Sequence, residues 1–210
     1  MIETMHIVIL AIGSYLYGSI PFGYIIAFLL HKIDIRQEGS GNIGATNIAR
    51  VLGLKWGLLS FLLDASKAIV PFFVASWLFP GMAQLYRDVL LFVVSLSIIG
   101  HDYSCFLGFT GGKGMSTLLG LLIVYDFNIA LLLVVVWVVV LFIWGYVSLA
   151  SIVSVVSMIL WFILLQPSIW TLLFAVFFTV LTIWQHRENI HRLLTGTEKV
   201  MFKKNLVGNS

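Results

Sequence analysis

Glu38 is followed by a run of small and polar residues, Gly39-Ser40-Gly41-Asn42-Ile43-Gly44-Ala45-Thr46-Asn47, with Arg50 just beyond it. Glycine tolerates positive φ and lets the backbone come close to a ligand. Successive backbone N–H groups in such a turn form a nest for an anion. Ser40, Asn42, Thr46, Asn47 and Arg50 add donors, and no acceptor-only side chain interrupts the run after Glu38. This pattern suits the cradling of a phosphate. Thr46 or Asn47 is alternatively a helix cap.

A second cluster joins Gly100-His101-Asp102 to Gly111-Gly112-Lys113-Gly114, with Ser116 and Thr117 following. Glycines and a lysine at the opening of a helix make another anion site. It is not a nucleotide loop of the Walker type. Leu107 stands where the leading glycine belongs, and Gly114 stands where a Ser or Thr must follow the lysine. A third group, Asp64 and Lys67, lies three residues apart on one helical face. An unpaired charge at a bilayer centre costs about 2.5–3.5 kcal/mol, so these two either pair or line a polar cavity. In the fourth, His186 and Asn189 share a face within His186-Arg187-Glu188-Asn189, and His191-Arg192 follows. His186 is either a general base or a positioning donor. Its positive neighbours favour the donor. Arg187 and Arg192 read as charges at the membrane surface. Ser148, Ser151 and Ser154 have the spacing of helix-packing residues, and Ser151 is the strongest functional candidate of the three.

The elements that must position these groups follow from composition. The chain has 210 residues, 60% hydrophobic and only 10% charged, against about 45–50% and 25% in soluble domains. So little charge cannot cover so apolar a core in water. A soluble enzyme, a disordered chain and a collagen-like fibre are excluded. Single-pass anchoring is excluded too, because apolar residues fill the whole length. The single Cys105 allows neither a disulfide framework nor a cysteine zinc site.

Spans of roughly 20 residues give a seven-helix, all-α membrane bundle in one domain, 1–210. They are Met5–Leu30, Leu52–Phe79, Asp88–Phe109, Met115–Tyr125, Ile129–Gly145, Ser148–Leu165 and Ser168–Gln185. Pro21 and Pro71 are expected to kink the first two. Links at Asp126-Phe127-Asn128, Gly145-Tyr146-Val147 and Gln166-Pro167 are tight, which implies antiparallel neighbours. The first stretch lacks a basic lead and reads as a transmembrane helix, not a cleaved signal peptide. Alternating sides collect Lys32, Arg36, Arg50, Lys55, Lys113, Arg187, Arg192, Lys199, Lys203 and Lys204 on one face, leaving Arg87 on the other and Lys67 inside. The positive-inside rule then puts the N-terminus outside and the C-terminus in the cytoplasm. All the strong clusters face the cytoplasm, where a phosphorylated substrate would arrive.

The motif Ser-Gly-Asn-Ile-Gly-Ala-Thr-Asn with Arg50, Leu63-Asp64 with Lys67, Gly100-His101 with Gly-Gly-Lys-Gly, and His-Arg-Glu-Asn-Ile with Leu193 resemble the bacterial acyl-phosphate:glycerol-3-phosphate acyltransferases, the PlsY family. The resemblance runs from about residue 15 to 200, in the family's order and spacing. It implies seven spans in the cytoplasmic (inner) membrane. It also implies acyl transfer from a fatty acyl phosphate to glycerol 3-phosphate, giving lysophosphatidic acid for phospholipid synthesis. The implied catalytic residues are Ser40, Arg50, Lys113, Ser151, His186 and Asn189. Phosphate binding is expected from Gly39, Gly41, Asn42, Gly44, Thr46, Asn47, Gly111, Gly112 and Gly114, with Asp64, Lys67 and His101 as supports behind them. The implied partners are glycerol 3-phosphate, fatty acyl phosphate and membrane lipids, with no cofactor, metal, nucleotide or nucleic acid. Two positions depart from the family pattern. Trp144-Gly145 stand where a basic residue precedes Tyr146-Val147-Ser148, and Ala68 replaces a glycine after Lys67.

Other readings are weaker. A transporter or channel for an anionic phosphorylated metabolite needs polar residues at several depths, yet 129–142 is wholly apolar. A phosphatidyltransferase using CDP-lipids needs clustered aspartates, and Asp34, Asp64, Asp88, Asp102 and Asp126 are scattered. A lipid-binding scaffold has no need of two glycine-rich anion loops. The His-x4-Asp pair of thioester-using acyltransferases is absent from the sequence.

Overall fold

The computed structural model describes residues 2–79, 87–165 and 168–201. The described residues form α-helices and short 3-10 turns joined by loops, and the isolated bridge between Ser104 and Thr110 is the one β contact among them. The chain divides into two compact units, Met1–Ala130 and Leu131–Ser210.

In the first unit, α1 (Ile2–Ser19) and α2 (Phe22–His31) replace the first expected span. Pro21 lacks an N–H and fixes φ, so the helical ladder stops there and restarts beyond it. After α3 (Ala45–Leu52), α4 (Leu54–Leu78) continues unbroken through Pro71. α5 (Arg87–Asp102) ends seven residues before the expected Phe109. Ser104 instead caps a 3-10 turn at Cys105–Leu107. Gly108 (φ +63°) and Phe109 (φ +60°) then adopt left-handed conformations that no right-handed helix continues. α6 (Met115–Tyr125) has its expected bounds. The link to α7 (Phe127–Trp144) shrinks to Asp126, whose carboxylate accepts N–H groups of Asn128 and Ile129 at 3.0 and 3.3 Å.

Small residues let these helices touch backbone to backbone. α1 runs along α5, where a Cβ on Gly18 would lie 2.3 Å from the Ser97 carbonyl oxygen. α6 lies on α4, where one on Gly120 would lie 2.2 Å from the Ala65 oxygen. Arg87 stacks 4.4 Å over the Tyr125 ring and donates to the Tyr125 carbonyl. It therefore ties the start of α5 to the end of α6.

The second unit holds the remainder of α7, then α8 (Val147–Leu165), α9 (Ile169–Gln185) and α10 (Arg187–Leu194). Gly145 turns the chain between α7 and α8 with φ +77°. The expected Gln166-Pro167 link lies outside the described residues. Thr179 donates to the Val155 carbonyl at 3.0 Å, joining α9 to α8.

Among the described residues, four segments are long and apolar enough to cross a membrane: Thr4–His31, α4, α7 and α8. α9 and α10, bent by 60°, make a fifth when taken together. The 16-residue α5 and 11-residue α6 extend about 24 and 16 Å at 1.5 Å per residue, less than a hydrocarbon core of about 30 Å. Large apolar side chains such as Phe73, Trp77, Val139, Phe142 and Val180 are half or more exposed, which suits lipid and not water. The chain is an all-helical integral membrane protein.

Candidate active site

The loop before α3 is braced by Asn47. Its amide nitrogen donates to the carbonyls of Glu38 (3.0 Å) and Asn42 (2.9 Å), and its oxygen accepts the Ser40 N–H at 2.8 Å. Both amide protons are therefore committed to the loop. Asn47, expected to bind phosphate, is buried and its side chain braces the loop. Gly39 (φ +63°) and Gly41 (φ +73°) take the positive angles, whereas Gly44 does not. Gly44 is the N-cap of α3, so neither Thr46 nor Asn47 caps that helix. Asn42 accepts the Gly44 N–H at 2.8 Å, closing the turn. Ser40 and Arg50 are exposed and Thr46 is half-buried. At the loop's approach, Arg36 grips Asp34 with two hydrogen bonds of 2.9 and 2.7 Å, and these hold the Asp34 carboxyl below its usual range.

The second loop leads into α6. Gly114 (φ +69°) is the N-cap, so Lys113 sits at the positive end of the helix, where anions are favoured. Gly112 donates its N–H to the His101 carbonyl at 2.9 Å, and a Cβ on Gly111 would lie 2.2 Å from that same oxygen. Lys113 is half-buried. Beneath the loop, Lys67 Nζ lies 2.8 Å from Asp64 Oδ1 and 3.0 Å from His101 Nδ1. All three are buried, so Asp64 and Lys67 pair. Thr117 is also structural, donating to the Asp64 carbonyl at 2.9 Å.

In the second unit, His186 sits at the bend between α9 and α10. Its Nδ1 donates to the Thr182 carbonyl at 2.8 Å. A neutral ring therefore carries its lone pair on Nε2. Asn189, buried one turn later, donates through Nδ2 to Glu198 Oε1 at 2.6 Å. Ser151 Oγ accepts the Trp137 indole N–H at 3.2 Å, and Ser154 donates back to the Ser151 carbonyl. Arg187 stacks 4.9 Å from the Trp184 ring centre and is exposed, as a surface anchor would be. Among the described residues, no group of three His, Cys, Asp or Glu is arranged to hold a metal ion.

The family profile described as glycerol-3-phosphate acyltransferase matches residues 8–196. The chain belongs to the glycerol-3-phosphate acyltransferase family. It is 43% identical to the glycerol-3-phosphate acyltransferase of Aquifex aeolicus, over 92% of this chain and 98% of that one. With the Desulforudis audaxviator enzyme it shares 43% identity over 94% and 98%. The crystal structure of PlsY (YgiH), an integral membrane glycerol 3-phosphate acyltransferase, in its glycerol 3-phosphate form superposes with a TM-score of 0.86. That match has 41% identity and covers 94% of this chain and 96% of that one. The lysophosphatidic acid form gives 0.83, at 40% identity over 93% and 95%.

In this acyltransferase the sequence reading missed Glu198. Its Oε1 accepts from Ser148 (2.7 Å) and Asn189, and its Oε2 accepts from Arg192 Nε (2.7 Å). Arg192 is thus an internal partner and not only a surface charge. Nothing in the sequence pairs Glu198 with residues 50, 9 and 6 positions away. Burial alone would raise the Glu198 pKa, but the bonds from Ser148, Asn189 and Arg192 outweigh it and hold it low. A depressed carboxylate pKa stabilises the fold above its unfolded value, about 4.3, and that contribution disappears as pH falls through the folded value. Glu198→Ala is expected to cost about 2 kcal/mol. That lowers the melting temperature in detergent by roughly 4–8 °C for a chain of this size. Glu198→Gln should remove part of the acid-side loss of stability. An unchanged melting curve in Glu198→Ala would remove this role.

Proposed function

We propose that this enzyme transfers a fatty acyl group from an acyl phosphate to the sn-1 hydroxyl of glycerol 3-phosphate. The hydroxyl oxygen attacks the acyl carbon, the bond to the phosphate oxygen breaks, and that oxygen leaves with the electron pair. The hydroxyl proton goes to the departing phosphate, so the products are lysophosphatidic acid and inorganic phosphate. Such a mixed anhydride has a good leaving group, and no covalent enzyme intermediate is required. What the protein must supply is positioning and donors aimed at phosphate and at the developing oxyanion. The observation that carries this reading is the family membership over nearly the whole chain. The two glycine-shaped loops support it.

Within that reaction, Ser40, Arg50 and the N–H groups around Gly39, Gly41, Asn42, Gly44 and Thr46 are assigned to phosphate. Lys113 is assigned to phosphate with the backbone of Gly111, Gly112 and Gly114. Ser151, His186 and Asn189 are assigned to positioning and proton handling, with His186 as a donor and not the base. The whole chain, 1–210, is one acyltransferase domain that needs no cofactor. The test is mass spectrometry of the product made from acyl phosphate and glycerol 3-phosphate by purified protein in lipid. The sn-1 acyl ester is expected. An sn-2 ester, or uptake into vesicles without acylation, would reject the assignment.

We place the protein in the bacterial cytoplasmic membrane with seven spans, N-terminus outside and C-terminus inside. The distribution of Lys and Arg supports this. Cysteines introduced at Ser40 and Gln84 in a Cys105→Ser background should label from opposite sides of intact cells. Labelling from one side would reject both the seven-span order and the cytoplasmic placement of the first loop.

A further inference from the structure

The buried triad under the second loop joins four helices. Asp64 and Lys67 come from α4 and His101 from α5, and their relative exposures are only 1%, 1% and 4%. Thr117 of α6 bonds to the Asp64 carbonyl, and Lys67 Nζ lies 5.3 Å from the Phe22 ring centre of α2. Two opposite charges would satisfy each other without a third group. A buried pair alone is also weak evidence for stability, since apolar residues often replace it at no loss. The third group, His101, is the one that meets the loop. Lys67 as an ammonium donates to Nδ1, which leaves the ring proton on Nε2. A Cβ on Gly112 would lie 1.9 Å from that Nε2, so the ring fills the space directly beneath the loop. The His101 carbonyl holds the Gly112 N–H from the same residue.

We propose that His101, locked in place by the Asp64–Lys67 pair, is a positioning residue that fixes the Gly111–Gly114 loop and thereby sets affinity for one phosphorylated substrate. The ring touches the loop from below, so it acts through Gly112 and Lys113. This inference rests on the acyltransferase reading.

The experiment is a double-mutant cycle on the full protein in lipid, with Gly112→Ala and His101→Ala alone and together. His101→Ala is expected to raise KM for either glycerol 3-phosphate or acyl phosphate about fivefold or more. The other KM and kcat should stay within about twofold, as loss of one positioned contact implies. Gly112→Ala should raise the same KM about tenfold in the native background but only about twofold once the ring is gone, because the two share one space. Asp64→Asn with Lys67→Met, which removes both charges at similar volume, should mimic His101→Ala. Independent effects of Gly112→Ala and His101→Ala would overturn the proposal. So would folded protein that is lost while the remainder keeps normal KM values. Inactive native enzyme would instead reject the acyltransferase reading. The same cycle then reads by titration calorimetry with inorganic phosphate, where coupling supports the proposal and independence rejects it.

Discussion

Lys113→Ala and Arg50→Ala are each expected to lower kcat/KM at least about tenfold, and up to about a hundredfold. A hydrogen bond to a charged group contributes roughly 1.5–3 kcal/mol, and each 1.4 kcal/mol is a factor of ten. Both residues lie beside loops whose turns depend on glycine, Arg50 on α3 and Lys113 at the start of α6. Arg50 is exposed and Lys113 is half-buried, and both variants are expected to insert and purify normally. Arg50→Lys should stay poor, because a point charge does not replace a planar fork of donors. Lys113→Arg should retain more activity than Lys113→Ala. Steady-state kinetics with both substrates checks these outcomes, and near-normal constants in either alanine variant would reduce that residue to a charge that sets topology.

His186→Ala is expected to have the next largest effect, and its partner variant is Asn. The Nδ1 proton is held by the Thr182 carbonyl one turn back, and an asparagine amide at this position can make the same bond. If His186 positions the bend between α9 and α10, Asn preserves clearly more activity than Ala, and the acid limb of the pH–rate profile survives. If His186 is the base, it acts through Nε2, which carries the lone pair of the neutral ring. Asn is then as poor as Ala, a loss of about a hundredfold or more. The acid limb, falling across the imidazole range of about pH 5–8, then disappears. We assign the positioning role, and loss of that limb in His186→Asn would contradict it.

Much of this architecture was legible because membrane helices announce themselves by long apolar runs. α6, α8 and α9 start and stop within about a residue of the sequence reading, since Gly114, Gly145 and Ser168 punctuate them. Hydropathy overextends α5 because Cys105, Phe106 and Leu107 are as apolar as a span. Only the Ser104 cap and the left-handed Gly108 and Phe109 end it, and those are local hydrogen-bond choices that hydropathy does not register. The glycine turns were visible in the sequence, and Gly39, Gly41 and Gly114 do take positive φ, but which polar residues face outward was not. Asn47 looked like a donor to ligand and proved to be the brace, because a buried amide must satisfy its own protons first. Asp64 and Lys67 left two readings open until His101, 34 residues from Lys67, appeared beside them. Glu198 was invisible for a similar reason: its partners are assembled by folding from separate parts of the chain.

We propose an acyl phosphate as the acyl donor. The direct measurement supplies purified protein in lipid with glycerol 3-phosphate and a chelator, then compares acyl phosphate with acyl-CoA of the same chain length. An acyl-phosphate donor should give lysophosphatidic acid and inorganic phosphate in equal amounts, with no product above background from acyl-CoA. Comparable turnover with acyl-CoA, or loss of activity on chelation, would contradict it.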